Sequence, residues 1–253
     1  MIRGILSFGK SAAVRAGAAV MLMSLLFYIS SLLISAISWD EPIPAVGTGD
    51  YEGRTVILDA GHGGEDSGAV GVNGVPEKEL NLAVTTALAA MLRSAGVTVI
   101  ETRTEDRLLY RPAENIKGQK KMYDLRNRLA VAEENPDALF ISVHMNTFTD
   151  AKYSGFQIYY SENRESSRIL AGELQDLVKK YLQPENNRKI KAAGDNIYLL
   201  DRAKENPSIL IECGFISNPA ECEKLSSEDY RKQLSFILFC GIMNYMTENK
   251  TSP

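Results

Sequence analysis

Apolar and polar positions along this chain show two kinds of order: one unbroken run near the start, then a series of short periodic segments. Between Ala16 and Trp39 no charged residue occurs. That stretch meets the requirement of about 20 residues for a membrane-spanning helix and exceeds the roughly 7–15 of a cleavable signal. Arg3, Lys10 and Arg15 precede it, and basic residues on the leading flank keep that end in the cytoplasm and send the rest outward. No alternation of polar and apolar positions marks it as the amphipathic helix of a globular core. The pattern predicts a cytoplasmic N-terminus over 1–15, a transmembrane anchor or signal segment over 16–39, a Pro- and Gly-containing linker over 40–52, and a folded domain over 53–253. Cleavage after Ala36-Ile37-Ser38 is the alternative to an uncleaved anchor. The domain is then either membrane-anchored outside the cytoplasm or secreted.

Beyond the linker, strand-like and helix-like periods alternate. Thr55–Asp59 is a short apolar run that stops at Gly61-His62-Gly63-Gly64, which reads as a buried strand and a tight loop. Leu80 to Leu92 carries apolar residues at helical spacing, with Gly96 as its stop. Val97–Thr102 reads as a strand, Asp124–Glu134 as a helix closed by Asn135-Pro136, and Leu139–Val143 as a strand ended by His144. Gly155–Tyr160 alternates like a strand at or near a sheet edge. An amphipathic helix comes next over Glu165–Tyr181, then a short strand over Asn196–Leu200, a buried strand over Ser208–Glu212 and a closing helix over Asp229–Met246. Glu105–Met122 fits no period and is expected as an exposed loop or flap. This alternation predicts an α/β fold, a single domain whose mostly parallel (mixed) central sheet has helices on both faces, preceded by one N-terminal transmembrane helix.

Composition changes this picture little. At 45% hydrophobic and 24% charged over 253 residues, the chain is of ordinary globular type. Its 28 basic and 32 acidic residues are well mixed, with no basic stripe, so nucleic acid is not an expected partner. Cys213, Cys222 and Cys240 match no metal spacing. Cys213 and Cys240 read as buried small hydrophobes, with a Cys213–Cys222 bridge as the alternative.

The candidate chemistry sits at strand ends. The chain has two histidines, His62 and His144, each just after an apolar strand, and ligands of open α/β sheets gather at such ends. Ile209-Leu210-Ile211 delivers Glu212 in the same way, and a carboxylate so placed needs a metal, a cation or a raised pKa. Two imidazoles and a carboxylate with one open position form a catalytic type of zinc site. For the third ligand Glu77 and Glu79 are the candidates; Glu77, at the expected helix start, is preferred. Glu212 would then serve as the general base, taking a proton from water acidified by zinc and handing it to the leaving amine. Cys213 should face the other side of the sheet, by the two-residue period. The glycines around His62 lack the Lys-Ser/Thr pair that completes a P-loop.

Four ordered motifs carry a resemblance: Ile57-Leu58-Asp59-Ala60-Gly61-His62-Gly63-Gly64; Glu77-Lys78 with Asn81-Leu82; Phe140-Ile141-Ser142-Val143-His144-Met145-Asn146; and Ile211-Glu212-Cys213-Gly214-Phe215-Ile216-Ser217-Asn218-Pro219. Together they resemble the type 3 N-acetylmuramoyl-L-alanine amidases, from about Arg54 to Met246. The resemblance implies hydrolysis of the amide joining N-acetylmuramic acid to the L-alanine of the stem peptide, with one Zn2+ held by His62, Glu77 and His144 and with Glu212 as catalytic glutamate. It makes peptidoglycan, glycan strand and stem peptide alike, the expected partner. Arg128, Arg188 and Asn146 become candidate substrate contacts, the arginines for a stem-peptide carboxylate or, alternatively, as solvated surface residues. Ser217-Asn218-Pro219 looks like a helix entry. A narrower resemblance, to the germination-specific (CwlD-type) amidases of endospore formers, rests on the short layout, the N-terminal apolar run, the basic segment Glu105–Met122 and Asn187-Arg188-Lys189. It implies a role in making muramic δ-lactam for spore cortex, with a vegetative autolysin or cell-separation enzyme as alternative. Cys213 departs from the small or apolar residue of many relatives, which bears on packing only. A zinc carboxypeptidase and a non-catalytic wall-binding domain are the rival classes. Nothing in the sequence identifies an activating protein.

Overall fold

The structure, a computed structural model, describes residues 51–248 together with 21 and 23–25. The expected membrane segment over 16–39 therefore lies outside the described residues but for those few positions. Among the described residues no helix is long and apolar enough to cross a membrane.

Strands and helices alternate as β1 (Thr55–Ala60), α1 (Glu77–Ser94), β2 (Thr98–Glu101), α2 (Lys120–Glu133), β3 (Leu139–Asn146), β4 (Gln157–Tyr160), α3 (Glu165–Tyr181), β5 (Lys191–Ala192), α4 (Tyr198–Arg202), β6 (Ser208–Phe215), α5 (Pro219–Ser226) and α6 (Glu228–Glu248). They form one six-stranded sheet in the order β2-β1-β3-β6-β4-β5. β2, β1, β3 and β6 are mutually parallel. β4 runs antiparallel to β6, and β5 runs parallel to β4. The mixed, mostly parallel sheet read from the sequence is thus what forms.

Two cores explain why the central strands are apolar on both faces. The larger one joins Val56, Leu58, Ile141, Val143, Ile209 and Ile211 to α1, α3, α5 and α6. The smaller one packs Ile57, Phe140 and Leu210 against α2 and α4. In α1, Leu80, Val84, Leu88 and Leu92 fall on one buried stripe at helical spacing. Its end is a Schellman motif: Val97 N donates to Leu92 O (3.1 Å), Gly96 N to Arg93 O (3.1 Å), and Gly96 takes φ +89°. All three cysteines are free and buried. Cys213 belongs to the larger core, across the sheet from Leu210, as its period requires.

One expectation is corrected. Asn196–Leu200 is not a strand: a 3-10 turn over Gly194–Asn196 leads into α4, and the edge strand is β5. Adjacent Leu199 and Leu200 both enter the smaller core, which one helical turn allows and the alternation of a strand does not. Glu105–Met122 is largely exposed, as expected of a loop or flap, and holds a 3-10 turn at Pro112–Glu114 and the start of α2. Asp106 accepts from Gly64 N (2.7 Å) and Lys78 Nζ (2.6 Å), tying the segment to the glycine-rich loop.

Candidate metal centre

β1 and β3 are neighbours, so His62, two residues past the end of β1, and His144, near the carboxyl end of β3, arrive side by side. Their ring centroids are 5.0 Å apart, nearly perpendicular. Glu77, first residue of α1, sends its carboxylate between them. Oε1 lies 2.9 Å from His144 Nδ1 and 3.3 Å from His62 Nε2. The same carboxylate is aimed by backbone donors, Met145 N to Oε1 (3.1 Å) and Ala69 N to Oε2 (2.9 Å). One ligand atom from each of the three residues falls within 4.8 Å of the other two. Burial opposes ionisation of Glu77, yet the two imidazoles hold its carboxyl well below the usual range. Burial would lower His62, but Glu77 and Asp66 outweigh it and raise it. Glu79 is exposed, which decides between the two glutamates.

The glycines around these ligands are required by close approach. A Cβ on Gly61 would stand 2.2 Å from the His144 ring, and one on Gly68 2.6 Å from Glu77 Oε2. His62 itself has φ +61°, the left-handed region that a non-glycine residue adopts only under constraint. The constraint is visible. Arg128 Nη2 donates to His62 O (2.8 Å), and Gly63 and Asp66 exchange backbone hydrogen bonds of 2.9 and 3.0 Å. Arg103 donates to Ala60 O (2.9 Å) and Gly61 O (3.0 Å). Two buried guanidiniums thus hold three successive carbonyls of the loop that presents the first imidazole.

Glu212 sits beside His144 in the register of β3 and β6, so the two Cα atoms are separated by about one strand spacing, ~4.8 Å. A register shift comes immediately after, between His144 and Asn146, the kind of irregularity that re-aims side chains next to active sites. Glu212 Oε2 is shielded from solvent and has no hydrogen-bond partner among the described residues. Burial pushes its carboxyl up to about 7, with the His144 ring working against that and the Glu77 charge adding to it. A carboxylate delivered by an apolar strand and left without a partner is what the sequence pattern demanded an explanation for.

The three candidate substrate contacts separate. Arg128 is buried and fully engaged: Nη1 meets Asp59 Oδ1 at 2.5 Å and Nε meets Asp124 Oδ2 at 2.9 Å. It neither faces solvent nor reaches a groove, and the expectation of a substrate or surface arginine is corrected to a support beneath the His62 loop. The reason is charge: Asp59, 0% exposed at the end of β1, needs a buried cation. Arg188 is half-buried beside β6, donating to Ser154 O (2.6 Å) and Gln157 Oε1 (3.0 Å) and lying 4.4 Å over the Phe215 ring. Asn146 ends β3, where its Oδ1 accepts from Thr147 N (2.8 Å). Asn218 caps α5 by accepting from Glu221 N (3.1 Å), with Pro219 in the first turn, as the helix entry required.

Asp66 has no role in the sequence pattern. Its Oδ2 lies 2.9 Å from His62 Nδ1, the ring nitrogen turned away from Glu77, and Lys121 Nζ reaches the same oxygen at 3.2 Å. An imidazole ligand whose second nitrogen bonds a carboxylate is the usual outer contact of metal-bound histidine. Two imidazoles, a carboxylate and that outer contact fit a divalent cation of the zinc type.

The family model described as "N-acetylmuramoyl-L-alanine amidase" (Amidase_3) matches residues 56–244. The germination-specific N-acetylmuramoyl-L-alanine amidase of Bacillus subtilis is 34% identical over 203 residues, covering 79% of this chain and 83% of the relative. The uncharacterized protein YqiI of the same organism is 36% identical over 196 residues, covering 77% and 85%. Among solved structures, the CwlD amidase of Clostridioides difficile, determined in complex with the GerS lipoprotein, superposes with a TM-score of 0.73 at 38% identity. It covers 78% of this chain and 100% of that one.

Proposed function

Because this chain belongs to the N-acetylmuramoyl-L-alanine amidase family, an enzyme acting on peptidoglycan, we propose that it works with a single zinc ion and serves the making of muramic δ-lactam for spore cortex. The observation that carries the zinc assignment is the convergence of His62, Glu77 and His144 on one point, each with a ligand atom within 4.8 Å of the others. Zinc bound there supplies Lewis-acid polarisation of the scissile carbonyl and lowers the pKa of water toward neutrality. The chain's own contribution to proton movement is Glu212. Its carboxylate takes the proton of the attacking water and passes it to the alanine nitrogen as the C–N bond breaks, leaving a lactyl carboxylate on muramic acid and a free stem peptide. The buried arginine pair keeps the first imidazole in its strained conformation, so the ligand set is assembled before substrate arrives.

The cortex assignment is supported by likeness to the germination-specific amidase along most of both chains. The uncharged run over 16–39 behind a basic flank supports an anchor that holds the domain outside the cytoplasm, where peptidoglycan lies. Mass spectrometry of muropeptides tests the chemistry: the full-length chain with zinc should yield lactyl-terminated muramic acid and intact stem peptides. Release of single terminal residues instead would overturn it. Loss of muramic δ-lactam from spores lacking the gene tests the role, and membrane fractionation tests the anchor.

Asp66 gives a prediction that concerns the metal alone. Asp66→Asn should weaken zinc binding by about 10–100-fold through the loss of its contact to His62 Nδ1. Competition with a chromogenic chelator reads this directly, and an unchanged affinity would remove Asp66 from the orienting role.

A further inference from the structure

Just past the ends of β3 and β6 lies an aromatic wall that hydrolysis does not use. Phe148 is 52% exposed and Tyr153 39% exposed. Their rings meet edge to face, centroids 4.6 Å apart. Tyr153 leans over buried Phe215 at 6.4 Å, and the Arg188 guanidinium lies 4.4 Å from the centroid of the same ring. Arg188 in turn donates to Gln157 Oε1, and Gln157 stands opposite Glu212 in the β4–β6 register. Contacts therefore run unbroken from the partner of the proposed base to two rings in solvent.

The rings are held in place. Phe148 N donates to Ser217 Oγ (3.0 Å), Asn218 Nδ2 to Ala151 O (2.7 Å), and Gly155 N to the Glu221 carboxylate (2.9 Å). Fixing two aromatic side chains where each leaves apolar area in water forgoes the stabilisation that their burial would bring. What distinguishes the pair is that the two exposed rings touch and form one apolar patch, the kind of surface that ligands cover. Around Tyr153 and Arg188 opens a cleft of about 700 Å³ whose fringe carries Lys152, Asn218 and Lys224.

A ring face bordered by the edge of a second ring, with the Lys152 ammonium 5.6 Å from the Tyr153 centroid and an amide nearby, matches a pyranose. The C–H groups of one sugar face lie on the π cloud, and hydroxyl and acetamido groups reach the polar rim. Resting on the amidase reading, we propose that Phe148 and Tyr153 form a subsite for a sugar ring of the glycan strand flanking the muramic acid whose amide is cut. The enzyme then prefers polymeric glycan to an isolated muramyl peptide. An L-alanine-led stem offers no broad apolar face to this pair, which is why the sugar is the occupant.

Two measurements on the zinc-loaded full-length chain test this. In calorimetric titration with peptide-free N-acetylglucosamine–N-acetylmuramic acid oligomers, Phe148→Ala and Tyr153→Ala should each weaken binding at least tenfold, and Phe148→Trp should retain it. In hydrolysis, the alanine variants should raise KM on glycan strands at unchanged kcat, yet cleave a single-sugar muramyl peptide as the parent does. Wild-type protein that does not bind the oligomers, or variants impaired equally on both substrates, would overturn the subsite. Failure of the wild type to cleave either substrate would count against the amidase reading alone, since oligomer binding is read without turnover.

Discussion

Glu212→Gln will keep its zinc and lose hydrolysis by about two to four orders of magnitude, the usual worth of a positioned proton acceptor. The substitution preserves size, and Gln fills the same place beside His144. It touches none of the three side chains that converge on the metal point. What it removes is the ability to take and return a proton. Metal content by atomic emission and turnover on purified peptidoglycan separate the two properties. Near-normal turnover would reject the assignment, and loss of metal would mean that Glu212 belongs to the ligand set. Metal-free protein should carry a second signature. Burial raises the folded-state pKa to about 7, above the ordinary value of about 4.3. A group raised in this way contributes stability that is full below its unfolded pKa and is lost as pH rises through the folded one. Wild-type protein stripped of metal should therefore lose stability between about pH 4 and 7, and Glu212→Gln, with no charge to bury, should not. Melting temperatures at pH 5 and pH 8 will show the variant gaining on the wild type at the higher value.

The strands that carry this chemistry were legible because each holds a dense apolar run, although both extend further than the pattern suggested, β3 to Asn146 and β6 to Phe215. Leu139–Val143 and Ser208–Glu212 read as buried strands by length and composition, and the polar group that each apolar run delivers lies toward the carboxyl end of the sheet. Glu77 was legible through its position at a helix start, although the helix begins there and not at Leu80. The support beneath the ligands was harder to read. Asp59 closes an apolar strand as Glu212 does, and the same reasoning about a buried charge applies to it, but its cation lies 69 residues away at Arg128. Sequence spacing holds no trace of that distance. Asp66 could have been suspected from its place four residues after His62 in a glycine-rich loop, where a short acidic side chain can turn back onto a ring. Tyr198-Leu199-Leu200 misled because two adjacent leucines suit a strand by composition, whereas both have to enter one core. Local pattern reveals elements whose burial is one-sided or complete; it is silent on pairings that only the sheet order creates.

Arg128→Met will lower stability by about 3–5 kcal/mol at neutral pH, because it leaves two carboxylates buried without their cation. Asp59 is 0% exposed and Asp124 3% exposed, and each is bonded to this guanidinium. For a domain of this size the shift in melting temperature is on the order of 10 °C. The pH dependence distinguishes this cause from a simple packing defect. Burial alone would raise the Asp59 carboxyl; Arg128, with Ser142 and Thr102, brings it below the ordinary value instead. A depressed carboxyl contributes stability that is present above its unfolded pKa and lost as pH falls through the folded one. In wild type the pair is thus a source of stability at neutral pH that acid removes. In the variant the balance reverses: burial dominates, Asp59 prefers its proton, and acid relieves the cost of the orphaned charge. The stability gap between the two proteins should accordingly narrow as pH falls toward about 4, and a gap independent of pH would show that lost packing, not the unpaired carboxylates, is responsible. Asp59→Asn on the Arg128→Met background should recover part of the loss at pH 7, since the amide needs no cation. The double variant also exposes the loss of the guanidinium's contacts to the loop carbonyls, Ala60 O and His62 O. If those contacts hold the first imidazole in its left-handed conformation, zinc affinity will remain weakened after stability has been partly regained.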